Sequence, residues 1–223
     1  MLLVLKYFAL AFSALLPVIN PLGSALIFLG VVGNEPANVF RNLARRVAFS
    51  TVLFLLLIEL IGASLLTFFG ISLPVVQLAG GFVLAAMGWG LLNERNGKDE
   101  ATASKQSSAD VANGGTLEEK IFYPLTFPIT AGPGCIVVML TLSAHGARTG
   151  VLSNILAHIG IAVAVAALSV TVFLSYTYAP KITQKIAPRT VQGILRVIAF
   201  VLLCIGVQIA WNGLEAMVKD MPK

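Results

Sequence analysis

The residues best suited to chemistry lie in two short segments rich in proline, glycine and small polar side chains. One is Pro17-Val-Ile-Asn20-Pro21-Leu-Gly23-Ser24; the other runs from Pro124 through Thr126, Pro128, Thr130, Ala131, Gly132 and Pro133 to Gly134. Proline removes a backbone donor and clashes with the preceding turn, and glycine admits dihedrals closed to other residues. Both segments sit inside long apolar runs, where non-helical backbone is tolerated only within protein or beside a water-filled cavity. The freed N–H and C=O groups can bind a small polar molecule, and a helix restarting after the break presents N–H groups to a carboxylate. The candidate binding residues are therefore Asn20, Pro21, Gly23, Thr126, Thr130, Ala131, Gly132 and Gly134. The plainer reading is a pair of proline kinks whose polar side chains satisfy their own backbone.

Other polar groups are few. Glu59 is the acidic residue well inside an apolar run; a charge at the bilayer centre costs about 2.5–3.5 kcal/mol on insertion scales. It is expected to face the protein interior, either as a coupling carboxylate or as a neutral or paired structural group. Gln77, Gln208 and Asn212 read as supporting polar residues that hydrogen-bond between helices. His145 and His158 have no matching partners in the sequence and receive no role. The two cysteines fit neither a disulfide framework nor a metal site. The chain has no plausible P-loop, dinucleotide fingerprint, HExxH or nucleophile elbow. It therefore reads as a non-enzyme with no metal or other cofactor.

These residues must be positioned by membrane helices. Of the 223 residues 57% are hydrophobic and 11% charged, and the mean hydropathy is +0.90. A soluble domain carries about 25% charged residues. The apolar runs reach the roughly 20 residues that a spanning helix needs. Six spans are expected, near 7–32, 47–68, 73–92, 121–144, 151–178 and 194–216. The polar stretch from 93 to 120 reads as a linker between two halves, 1–92 and 121–223. Eleven Lys and Arg fall on the linker's side of the membrane and four on the other. By the positive-inside rule the linker is cytoplasmic and both termini are periplasmic. The same rule explains the formal charge of +5, so no nucleic-acid partner is expected.

Each half has three spans, so the two enter the membrane in opposite orientations. Pro17–Ser24 lies over Pro128–Cys135, and Phe82–Gly88 lies over Phe200–Gly206. The fold class is then an all-α membrane protein of two inverted three-helix repeats, with the first and fourth helices broken.

The chain resembles the MarC family of bacterial inner-membrane proteins. The resemblance is carried by Asn20-Pro21, Phe69-Gly-Ile-Ser-Leu-Pro74, Ala79-Gly-Gly81, Pro128-Ile-Thr-Ala-Gly-Pro-Gly134, Gly206-Val-Gln208 and Asn212-Gly213. One departure is Gln77, where an Arg is expected. The resemblance implies a six-span inner-membrane protein and, since one member carries small neutral amino acids, a substrate like glycine or alanine.

The resulting reading is a secondary transporter of small neutral amino acids. It works by alternating access, with its site between broken helices one and four. Proton or sodium is left open as the coupling ion. The expected partners are the amino acid and membrane lipids, and the reading allows a homo-oligomer. Rival readings are an exporter of drugs or other small metabolites, and a membrane assembly or sensor protein without transport.

Overall fold

A computed structural model of the chain describes residues 1–33, 35–93, 117–146, 151–185 and 188–219, and these are helical without a strand. The segments are α1 Leu2–Ile19, α2 Pro21–Val32, α3 Ala37–Phe68, α4 Leu73–Asn93, α5 Ile121–Thr130, α6 Pro133–Gly146, α7 Val151–Lys185 and α8 Pro188–Lys219. Five units are long and apolar enough to cross a bilayer, counting α1 and α2 as one. The α5–α6 pair, bent by 68°, makes a sixth if it is one span. Most of the stretch read as a cytoplasmic linker, residues 94–116, lies outside the described residues.

Two expected loops are helix instead. Arg41, Arg45 and Arg46 occupy the early turns of α3, and Arg189 and Arg196 belong to α8. The 32 residues of α3 measure about 48 Å at 1.5 Å per residue. The hydrocarbon layer is about 30 Å thick. The helix therefore continues into the headgroup region, where a charged turn meets water and pays no desolvation.

Helix α7 is the hub. Ala157, Ile161, Ala164, Leu168, Val172, Tyr176 and Ala179 form a buried stripe along it, at the spacing that keeps one helix face inward. It packs against α1, α2 and α3, while α6 bridges α1, α3 and α4. The other large interface joins α4 to α8. There the backbones touch. A Cβ on Gly81 would strike backbone of Gly206 and Ala210, and one on Gly88 would strike Ala199 and Leu203. A Cβ on Gly206 would strike Gly81 and Ala85, and one on Gly213 would strike Pro74 and Leu78. Small residues permit this close approach. The neighbouring Gly80 faces Val137 of α6. At the α3–α4 turn Gly70 takes φ 67°, and Ile71 N–H closes on Leu66 O at 2.9 Å.

Candidate functional site

The first interruption is built by one side chain. Asn20 takes φ 44° and ψ 67°, and it is the one non-glycine residue with positive φ among those described. Asparagine enters this left-handed region more readily than most residues. Its N–H ends α1 on Leu16 O at 3.0 Å, and its carbonyl receives Ser24 N–H at 2.9 Å. Its Oδ1 then accepts Gly23 N–H at 3.1 Å, capping α2. Pro21 holds the first helical position, where no N–H is needed. A Cβ on Gly23 would run into the Asn20 carboxamide, so glycine there leaves room for the cap.

The second interruption is built by a repeat. Tyr123-Pro124-Leu125-Thr126 is followed by Phe127-Pro128-Ile129-Thr130. In both units the aromatic residue is extended (Tyr123 φ −116°, ψ 122°; Phe127 φ −122°, ψ 127°) and the following X–Pro bond is cis. Each threonine hydroxyl donates to the carbonyl five residues back: Thr126 to Ile121 at 2.8 Å, and Thr130 to Leu125. Backbone bonds at the same spacing join Leu125 N–H to Lys120 O at 3.2 Å and Ala131 N–H to Thr126 O at 2.8 Å. The chain then turns at Ala131 and Gly132, and Pro133 opens α6. The aromatic–proline–aliphatic–threonine repeat was visible in the sequence, although only its prolines and threonines were singled out there.

The expectation that Gly132 and Gly134 supply special dihedrals is corrected. Among the described glycines, positive φ falls at Gly33 and Gly70. Gly134 is needed for space: a Cβ there would meet the Leu84 side chain and lie 3.1 Å from Val18 Cγ1. At Gly132 a Cβ would have only Pro128 O near it, at 3.0 Å.

Tyr176 of α7 joins the two interruptions. It is fully buried, and its hydroxyl lies 2.6 Å from Thr130 Oγ1. The Ser24 hydroxyl, in the first turn of α2, is its second polar neighbour. Ser24 also donates to Asn20 O at 3.0 Å. The ring stacks on Phe28 of α2, with centroids 4.3 Å apart. Sequence reasoning missed Tyr176, one of two tyrosines in the Ser175-Tyr176-Thr177-Tyr178 run of α7, because its position along one helix does not record which other helices it faces. Of the candidate residues, Thr130 meets Tyr176 directly and Asn20 is linked to it through Ser24; Gly23 is bonded to Asn20, and Gly134 lies against Val18 and Leu84. Thr126 is buried with its hydroxyl held locally. The threonine and asparagine side chains mainly satisfy interrupted backbone, as the plainer reading required.

The other candidates lie elsewhere. Gln77 is buried and lines a groove of about 360 Å³ with Leu73, Pro74, Asn212 and Glu215. Gln208 is exposed and donates to Asn212 at 2.9 Å within α8; this pair bonds along one helix, and the expected bond between helices is corrected. Glu59 faces the interior at 4% exposure. His158 does have a partner, contrary to the sequence reading: its Nδ1 lies 3.0 Å from Glu59 Oε1. The carboxylate side chain is 3% exposed and the imidazole 35%. The pair ties α3 to α7, and Ser143 of α6 donates to the Glu59 carbonyl at 3.3 Å. About 18 residues of α7, roughly 27 Å of helix, separate His158 from Tyr176.

The family model for "MarC family integral membrane protein" matches residues 5–218. A UPF0056 membrane protein of Pyrococcus abyssi is 30% identical over 96% of this chain and 98% of its own length. The UPF0056 inner membrane protein MarC of Salmonella typhimurium is 27% identical over 96% of both chains. No solved structure matches the chain. With its helices long and apolar enough to cross a bilayer and the family model matching nearly its full length, the chain belongs to the MarC family of integral membrane proteins.

Proposed function

We propose that this protein is a secondary transporter of small neutral amino acids, of the glycine and alanine class, working by alternating access. The observation that carries the reading is the junction at Tyr176, where α2, just after the first interruption, and α5, just before the second, meet on one hydroxyl. The α2 N-terminus offers N–H groups to a substrate carboxylate. One of these, Gly23 N–H, is occupied by the Asn20 carboxamide. A substrate carboxylate would displace that carboxamide and take its bond, while threonine and serine hydroxyls receive the ammonium group. The surroundings are backbone and small side chains, which suits a small ligand.

The α4–α8 contacts support the inverted repeat. In the register that lays Gly88 over Gly206, the pairs Gly88–Ala199 and Gly88–Leu203 become Gly206–Gly81 and Gly206–Ala85. Each contact has its exchanged counterpart, as a two-fold axis between antiparallel halves demands. The distribution of Lys and Arg supports periplasmic termini.

Glu59 with His158 is the coupling site in this reading. Loaded, the pair shares one proton between carboxyl and imidazole with no net charge; releasing that proton leaves one negative charge on the pair. Uptake of labelled glycine and alanine into proteoliposomes, with and without a proton or sodium gradient, tests the proposal. Saturable gradient-driven uptake is expected, and Glu59→Gln is expected to abolish the drive while counterflow persists. Unchanged drive in Glu59→Gln would make the pair structural. Flux of bulky cations in place of amino acids would favour the exporter, and no flux of any solute would favour an assembly or sensor role.

A further inference from the structure

One face of α3 carries Arg41, Arg45, Phe49, Leu53 and Leu57 at four-residue intervals. All five are exposed, Phe49 at 71%, Leu53 at 61% and Leu57 at 49%. Residues four apart lie above one another on a helix, so this face changes along its length from two guanidiniums to a hydrocarbon stripe. The change falls where α3 leaves its polar first turns for the apolar run. Arg45, Arg46, Phe49, Ser50, Leu53 and Ile121 enclose a groove of about 480 Å³ between α3 and the start of α5.

Among the described residues the two guanidiniums of that groove are not both paired with a carboxylate. Arg46 is bridged to Glu118 at 2.9 Å. Arg45 contacts the neutral Asn42 carboxamide at 3.4 Å, and among the described residues no carboxylate is paired with it. Among the described residues Arg45 is therefore a cation with no paired carboxylate over an apolar wall, with Arg41 a turn beyond. A bare acyl chain satisfies only the wall, and a free anion satisfies only the cation. An amphiphile with a phosphate head satisfies both. A zwitterionic headgroup brings its own cation toward the guanidiniums and loses part of the attraction.

We propose that this groove binds an anionic phospholipid of the leaflet that holds the α2–α3 loop. The phosphate sits at Arg45 and Arg41, and one acyl chain runs along Phe49 and Leu53 against Ile121. The site stands independently of the transport reading. A guanidinium near the membrane surface favours an anionic lipid by about fivefold. Two together set an expected preference of tenfold or more at low salt, falling as salt screens the charges.

The test uses the full chain purified in non-ionic detergent. It is titrated with phosphatidylglycerol, phosphatidylcholine of the same chains, or inorganic phosphate, and bound lipid is counted by native mass spectrometry. Phosphatidylglycerol is expected to bind at least about tenfold more tightly than phosphatidylcholine. Arg45→Gln alone should lower that preference about fivefold, and Arg41→Gln with Arg45→Gln should remove it, both without shifting thermal unfolding in detergent. Phe49→Ala with Leu53→Ala should weaken both lipids together. Equal binding of the two lipids by the parent, or an undiminished preference in the double arginine variant, would overturn the proposal. Inorganic phosphate binding as tightly as phosphatidylglycerol would overturn it too, since the acyl stripe would then contribute nothing.

Discussion

The α4–α8 seam and the region of the two interruptions both rely on glycine, but what presses on each glycine differs. Along the seam, the atoms facing Gly81, Gly88, Gly206 and Gly213 are mostly backbone of the opposite helix. At the interruptions, Gly23 faces the Asn20 carboxamide, and Gly134 faces the ends of Leu84 and Val18. Backbone yields only if a helix slides; a side chain yields by changing rotamer. The seam is therefore a rigid spine. At the interruptions Gly23 and Gly134 face side chains, so these two positions can yield where the seam cannot.

The largest effect expected from this contrast is at the seam. Gly206→Ala should destabilise the protein near the top of the range of about 1–3 kcal/mol for overpacking, read by thermal unfolding in detergent. The lipid-facing control is Gly90→Ala, because a Cβ there meets nothing within 4 Å, and its shift should stay within about 0.5 kcal/mol. Gly88 looks equally remote from the interruptions in the sequence, but its contact with Ala199 and Leu203 disqualifies it as a control. Equal loss in Gly206→Ala and Gly90→Ala would erase the contrast.

Gly134→Ala should have a smaller structural effect, about 1 kcal/mol, because Leu84 can move aside. Its functional effect should be disproportionate. A bound ligand raises native-state stability by mass action, and the stabilisation of the parent by glycine or alanine should be largely lost in the variant. A variant that folds and still responds like the parent would make the second interruption a mere bend.

A structural effect of similar size tests the first interruption. Asn20→Ala removes the cap and places a Cβ-bearing residue without a polar side chain at φ 44°, at an expected loss of about 1 kcal/mol. Asn20→Gly keeps the left-handed conformation and should lose only about a few tenths. Equal losses in the two variants would show that the dihedral contributes little and the Oδ1 bond to Gly23 most.

Parts of this site were legible before any coordinates. Pro21 and Pro133 each open a new helix, because proline acts on its own turn, whereas Pro17 sits inside α1 and Pro128 inside α5. The assignment of strain was not. Three glycine-rich positions compete for the unusual dihedral, and it falls instead on Asn20, whose side chain can also bond Gly23 N–H. The polar pairings were hidden too. Gln208 looked like glue between helices but points away from the bundle.

The sequence by itself determined the apolar helices long enough to span a membrane and the family. These follow from hydropathy, backbone chemistry and motif order, all properties of neighbouring residues. Only the tertiary structure decided that Tyr176 meets Thr130 and Ser24, that His158 meets Glu59, and that the α4 and α8 backbones touch at Gly81, Gly88 and Gly206. Each of these depends on how far one helix is rotated and slid against another. In apolar helices that rotation is set by the packing of many small contacts across the bundle, and no residue spacing along one helix records it.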